Sequence, residues 1–407
     1  MAGRLLFLAH RLPYPPDKGE RIRAWHMLER LARHWEIDLG CLSDDPADAA
    51  HLPMLRRLCH SVHCEPLGSR LAVATRALLR ARPGLPLTLG WFHDRGLKSW
   101  VDATIAARRP DAAFVYSSAM APYVMDADVP LRVLDLVDVD SEKWRAYAAD
   151  ARAPRRQLWA REARTLLAFE RRAAAGFDRT ILVSQAERAR FVALAPEVAD
   201  RVDHVDNGVD LARFNPALRF ENPYTPGRPA LVFTGTMDYR PNIEAVTWFA
   251  EAVMPLLRQA DAAGPAVEFH IVGTRPTPAV RALAALPGVH VTGRVADTRP
   301  YMAHAAVAVA PLQIARGIQN KVLEAMAMGR AVVASPAAFE GVRARVGQDL
   351  LVADGVAETL RAVLGVLRGE YPDLGRAARG AMEQRYSWDV TLRRLDAVLP
   401  ALTRVAA

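Results

Sequence analysis

Short apolar runs recur along this chain, separated by longer stretches with helical spacing. Residues 4–10, 37–43, 62–67, 112–117, 131–137 and 179–184 read as strands. Their hydrophobic character is nearly continuous rather than alternating, the pattern of strands covered on both faces of a parallel sheet. A second series follows at 231–236, 268–272, 289–292, 307–310, 331–335 and 350–353. Helical stretches lie between, among them 20–34 and a long arginine-rich one at 152–175. Strand and helix in alternation predict βαβ units, hence an α/β chain with two mostly parallel, Rossmann-like domains. The turn signal Asn207-Gly208 and the prolines after it place a linker at 207–228, between a domain at 1–206 and one at 229–385.

A length of 407 residues suits two cores, and 51% hydrophobic and 24% charged residues are those of a folded globular protein. The net charge of +8 is spread over both halves. Nucleic-acid binding would concentrate it in a stripe with a recognition motif, and neither is seen. An anionic substrate or an anionic membrane face remains compatible, and the arginine-rich helix is a candidate for such contact as well as for a solvated face. No segment approaches the roughly 18 apolar residues of a membrane span. The opening R-L-L-F-L-A-H is too short for a signal peptide. Three cysteines in a chain of this size imply a reducing compartment, so a cytoplasmic placement is expected. Cys59, His60, His63 and Cys64 invite a metal reading, but neighbours along a strand point to opposite faces, and no metal site is expected there.

The chemically informative stretch is R-G-I-Q-N-K-V-L-E-A-M-A-M-G-R-A-V-V-A-S, from Arg316 to Ser335. Gly317 loosens a loop and Asn320 is the expected N-cap of a helix over 321–328. Gly329 is the expected stop before an apolar strand. A helix start behind a glycine loop presents unpaired N–H groups and a positive dipole end, which suits a phosphate. Lys321 sits in the first turn, where that dipole disfavours a cation; it is either a solvated lysine or the sign of an anion at the helix end. Glu324 lies three residues on, on the same face, where a carboxylate can accept the two hydroxyls of a ribose. Only four lysines occur, Lys18, Lys98, Lys143 and Lys321. A lysine in this loop therefore favours a point-charge role over general arginine basicity.

This stretch resembles the C-terminal signature of retaining glycosyltransferases with the GT-B fold, the group called family 4: a Glu, seven residues, a second Glu, then A-M-A-x-G and an apolar strand. The chain keeps the second Glu as Glu324, followed by A-M-A-M-G, and has Arg316 where the first Glu is usual. The junction N-G-V-D followed by F-N-P resembles the family too. V-D-V-D-S-E-K-W and I-L-V-S-Q-A-E-R resemble a narrower group, sugar transferases associated with PEP-CTERM and exosortase exopolysaccharide systems. The resemblance implies two Rossmann-like domains facing across a cleft, with an amphipathic C-terminal helix at 386–407 packing back on the first domain. It implies transfer of a sugar from a nucleotide-diphosphate sugar to a saccharide or lipid-linked saccharide, with retention, without metal or cofactor. Glu324 would hold the ribose, and the Arg316 position would read the donor sugar.

In the second half G-T-M-D-Y-R-P-N carries Gly235, which permits close backbone approach, and Arg240 beside a helix start at Pro241. Arg240 and Lys321 are candidates for a phosphate clamp, with Arg275 a further nucleotide-side candidate. In the first half the loop H-R-L-P-Y-P-P-D-K-G-E-R follows the first strand, a usual ligand position. Lys18, Gly19, Glu20 and Arg21 are acceptor-side candidates. Asp138 and Asp140 follow the strand at 131–137; they are candidates for reading sugar hydroxyls, or Asp140 or Ser141 caps the next helix, while a metal pair is the least favoured reading because no third ligand accompanies them. Two other activities fit the same fold: epimerisation of a sugar nucleotide, and nucleotide-sugar binding without turnover.

Overall fold

The computed structural model describes residues 2–16, 19–80, 82–260, 266–315 and 318–401. The chain divides into two units: one runs to Asp206 and includes the segment from Leu392, the other is Asn207–Thr391.

The first unit holds a seven-stranded sheet of β1 (Gly3–Ala9), β2 (Trp35–Ser43), β3 (Ser61–Pro66), β4 (Ala112–Tyr116), β5 (Leu131–Val137), β6 (Arg179–Leu182) and β7 (Val202–His204). The order is β3-β2-β1-β4-β5-β6-β7, with every pairing parallel. Leu5 to Ala9 are fully buried, as a strand covered on both faces requires. The sequence pattern missed β7, which is three residues long and polar at its centre. β6 ends before 184 because Ser184 caps the next helix, its hydroxyl accepting from the Glu187 N–H at 3.1 Å.

A buried pair ties this unit together. Arg23, on the helix Gly19–Leu31, donates from Nε to Asp135 of β5 at 2.9 Å and from Nη1 to the Val205 carbonyl at 2.6 Å. Both side chains are shielded from water, so losing either partner would leave a buried charge uncompensated.

The second unit holds β8 (Ala230–Thr234), β9 (Glu268–Val272), β10 (Val289–Gly293), β11 (Val307–Ala310), β12 (Ala331–Ala334) and β13 (Leu351–Val352). Their order is β10-β9-β8-β11-β12-β13, again all parallel. The helix Asn320–Ala327 lays Leu323, Met326 and Ala327 into the core. It ends at Gly329, whose φ of +66° needs no Cβ. The Gly329 N–H bonds to Met326 and the Arg330 N–H to Ala325, the paired bonds of a Schellman stop.

Two expectations are corrected. Residues 207–228 are not a free linker: Val209 bridges to Ser387, and Phe214 and Tyr224 are buried in the second unit's core. The C-terminal stretch is not one helix but two short ones, Trp388–Thr391 and Arg393–Val398. From Leu392 it joins the first unit, where Arg30 pairs with Asp396 at 3.0 Å and Arg394 donates to His204 at 2.6 Å.

The turn after β9 passes so close to the one after β8 that a Cβ on Gly273 would sit 1.6 Å from the Gly235 carbonyl oxygen. Gly273→Ala must push two backbones apart and is expected to destabilise the protein by about 2–3 kcal/mol, the upper range for overpacking. Urea denaturation measures this; a loss under ~0.5 kcal/mol would show that the turns re-space freely.

Candidate functional site: a cationic pocket edge at the sheet switch point

In the second sheet the strand order reverses between β8 and β11, and ligands of open α/β sheets collect beyond the carboxyl ends of such strands. Two helices start here. One, Arg240–Trp248, follows β8; the other, Asn320–Ala327, follows β11. Lys321 on the second reaches Asn242 on the first, donating from Nζ to Oδ1 at 2.6 Å. Asn242 is held from its other end, its Nδ2 donating to the Thr236 carbonyl at 2.9 Å. The Lys321 ammonium also lies 4.3 Å from the centroid of Phe233 of β8. A Cβ on Gly235 would come within 3.5 Å of Nζ, so glycine keeps the approach to the ammonium open. Asn242 and Phe233 were not singled out from sequence. An asparagine two residues after the arginine was the available signal.

Burial lowers the Lys321 pKa to about 7, and Glu324 partly offsets this. Glu324 is in turn raised to about 7 by burial, against the opposing pull of Arg213 and Lys321. Arg213 was also missed; it lies in the segment taken for a linker. The structure thus brings Gly235, Lys321 and Glu324 together, with Arg240 two residues from the Lys321 contact. Arg240 occupies the first helical position, one earlier than expected, and its Nε pairs with Glu244 at 2.6 Å. Arg275, with a φ of +56°, approaches Asp238 of the β8 loop at 3.6 Å. Asn320 is not the N-cap: Gln319 holds that place, and Asn320 is the first helical residue, accepting from Asn207 at 3.3 Å. Arg316 and Gly317 lie outside the described residues.

The first sheet reverses between β1 and β4, and its candidates gather likewise. His10, just beyond β1, stacks on Tyr116 at the end of β4, with centroids 5.8 Å apart, and meets Phe92 edge-on. Burial holds its pKa down at about 4, against the pull of Glu20, and its Nδ1 has no hydrogen-bond partner among the described residues. Asp138, beyond β5, has a buried Oδ1 likewise unpartnered; burial, then Glu187 and Asp140, raise it to about 7. Neither Asp140 nor Ser141 caps the following helix: Val139 is at that position, and the Ser141 hydroxyl donates to Glu170 at 2.5 Å. Glu20 pairs with Arg11. Arg21 is buried and forked onto Asp48 at 2.9 and 3.1 Å, so its guanidinium is committed to the fold. Gly19 is the exposed first residue of its helix, and Lys18 lies outside the described residues. Near Cys59, His60 meets Glu36 at 3.2 Å and His63 meets Glu65 at 3.0 Å.

Two all-parallel Rossmann-like domains of seven and six strands are the architecture of the GT-B fold. Residues 228–368, within the second unit, match the family model described as Glycosyl transferases group 1. No curated protein matches the sequence significantly. Among solved structures, sucrose-phosphate synthase from Thermosynechococcus elongatus aligns with a TM-score of 0.70 at 16% identity, over 97% of this chain and 98% of that one. HepE of Anabaena in complex with UDP aligns at 0.65 and 15% identity, over 97% and 99%. WaaG, a glycosyltransferase involved in lipopolysaccharide biosynthesis, aligns at 0.64 and 13% identity, over 97% and 100%. At these identities the likeness is one of fold.

The paired shifts predict a bell-shaped affinity for a nucleoside diphosphate. Above pH 7 Lys321 loses its charge, so the anion must bring a proton with it; affinity then falls by up to about tenfold per pH unit between pH 7 and 9. Below pH 7 Glu324 takes a proton and loses the charge with which it accepts hydrogen bonds, so affinity is expected to fall again. Calorimetric titration from pH 5.5 to 9.5 measures this. Lys321→Met should erase the alkaline limb and Glu324→Gln the acid one, while the ligand's own phosphate ionisation is common to both. A flat profile in the unmodified protein would take both groups out of the site.

Proposed function

We propose that the protein transfers a glycosyl unit from a nucleoside-diphosphate sugar to a saccharide or lipid-linked saccharide, in exopolysaccharide or cell-envelope glycan synthesis. The observation that carries this is Lys321, an ammonium held by Asn242 at the start of a helix, open through Gly235, with Glu324 one turn behind. That geometry suits a diphosphate at the ammonium and a ribose at the carboxylate. The related fold of HepE was determined with UDP bound, which supports a nucleotide-sugar donor.

In the reaction the bond from the anomeric carbon to the diphosphate breaks, the acceptor oxygen bonds to that carbon, and the acceptor hydroxyl loses its proton. The departing diphosphate gains charge, so Lys321, Arg240 and the helix start stabilise it more than the bound donor. Such cations do the work of a divalent metal, making the transfer metal-independent. Asp138, raised to about 7, is suited to accept from the acceptor hydroxyl near neutral pH. Retention of configuration and family 4 membership rest on the sequence signature around Glu324.

The lipid-linked form of acceptor gains support from the helix Arg70–Leu79. Leu71, Leu78 and Leu79 share one face and are 81%, 66% and 83% exposed, with Arg80 and Arg82 just beyond. Leucines beside arginines suit an anionic bilayer surface. The helix Arg155–Gly176 suits it less. It buries Leu166 and Phe169 in the first unit, and Arg171 is engaged with Glu197.

With the true donor and acceptor, Lys321→Ala should lower turnover at least ~100-fold, the scale of losing one charge-stabilising group. Turnover near normal would remove the lysine from the mechanism. Incubation with donor alone should leave the sugar unchanged; a changed sugar would favour epimerisation, and nucleotide binding without turnover on any acceptor extract would favour a silent binding protein. In a separate assay, Leu71→Ser/Leu79→Ser should weaken cosedimentation with phosphatidylglycerol vesicles at least ~10-fold, given the transfer energy of a leucine side chain. Equal cosedimentation of variant and parent would exclude this helix.

A further inference from the structure

β9 and β10 bring three metal-binding side chains onto one face of the sheet. Glu268 and His270 are two residues apart on β9, so they point the same way. His290 of β10 is the register partner of His270. One ligand atom from each lies within 4.8 Å of the others. We propose that Glu268, His270 and His290 bind one divalent cation of the zinc class.

The spacing argues for a cation. His270 Nε2 lies 3.4 Å from Glu268 Oε2, and His290 Nε2 lies 3.6 Å from Oε1. Both are long for hydrogen bonds to a carboxylate, which centre on about 2.8 Å. Donors around a tetrahedral zinc at about 2.1 Å stand roughly 3.4 Å apart. The two imidazoles stack, with centroids 4.5 Å apart at 14°, so both turn their Nε2 atoms toward the same carboxylate. Two imidazoles and a carboxylate are a zinc-type donor set with a fourth position left for water.

The surroundings fit. Glu268 and His270 are buried, whereas the His290 side chain is 47% exposed, which gives an ion a way in. The Tyr224 ring packs on His270, 4.5 Å between centroids, and fixes its plane. Arg228 donates to Glu268 Oε1 at 2.7 Å and is half exposed. It is the cation that now neutralises the carboxylate, and the metal competes with it.

Glu268 opens β9, while Gly273 follows its other end beside the nucleotide loops. The ion therefore clips two outer strands and the Tyr224 segment together, and takes no part in sugar transfer.

The test uses the full chain, without a histidine tag and treated with chelator, titrated with zinc chloride alone and with cobalt(II) as a spectroscopic stand-in. One equivalent of zinc is expected to bind and to raise the melting temperature by about 5 °C at a hundredfold excess over its dissociation constant. Cobalt should give the intense visible bands of a four-coordinate site. His290→Ala, at an exposed position, should abolish both while leaving the metal-free melting temperature unchanged. Arg228→Gln should tighten zinc binding, and Lys321→Ala should leave it unaltered. Zinc that binds without saturating at one equivalent, or that binds equally to the parent, His290→Ala and Arg228→Gln, would be an adventitious ion and would overturn the proposal.

Discussion

The Lys321 ammonium is the point on which the second unit's chemistry turns. Withdrawing an ammonium from water costs several kcal/mol unless other groups replace its hydration. Here the replacement is partial: one amide oxygen from Asn242, the face of Phe233, and the nearby Glu324, itself raised toward neutrality by burial. The start of its own helix works against it, since unpaired N–H groups already make that end positive. Burial brings its pKa down to about 7, with Glu324 pulling the other way. Each adverse contribution is electrostatic and of one sign, so a single anion at that spot relieves all of them. The fold has built a positive edge that is held in tension until a ligand supplies the charge.

Topology explains why these groups meet. In both sheets the chain steps outward from a central strand in one direction and then in the other. The loops after the two central strands diverge, leaving a gap that no crossover helix fills. In the second sheet the gap receives Gly235, Asn242 and Lys321; in the first it receives His10 and Tyr116. Residues separated by 79 positions share a hydrogen bond because their helices begin on either side of the same reversal. Gly235 and Gly273 let two turns pass at backbone contact, which keeps the approach narrow and free of side chains.

What the sequence revealed follows the range of the forces involved. Strand positions were readable because both-face burial forces apolar runs, and the stop at Gly329 because only glycine takes that backbone conformation without strain. Lys321 was readable from its clash with the helix field. Asn242 was not, since its role is set by a lysine far along the chain. Arg213 was hidden by its place in a segment whose prolines and Asn-Gly turn suggested a linker; Phe214 and Tyr224, buried in the core, hold that segment down. The trio Glu268, His270 and His290 is invisible in one dimension, because the register of β9 against β10 creates it. The exposed leucines after Arg70 were not singled out from sequence either; their exposure is visible only in the structure.

The two units differ in the sign of what they gather. The second concentrates a cation, helix starts and a carboxyl group poised for hydroxyls. The first gathers groups driven toward their neutral forms: His10 held at about 4, Asp138 raised to about 7, and Glu170 to about 8 by burial despite its Ser141 contacts. Its strongest charges, Arg23 and Asp135, cancel each other deep in the core, as do Arg21 and Asp48. Pairing off the strong charges leaves burial free to create neutral acids and bases, since a nearby opposite charge would pull each pKa back. A diphosphate needs the first kind of surface. A sugar hydroxyl, which must be desolvated and then lose a proton, needs the second. The proposed transfer therefore follows from how each sheet edge disposes of its charge as much as from any single residue.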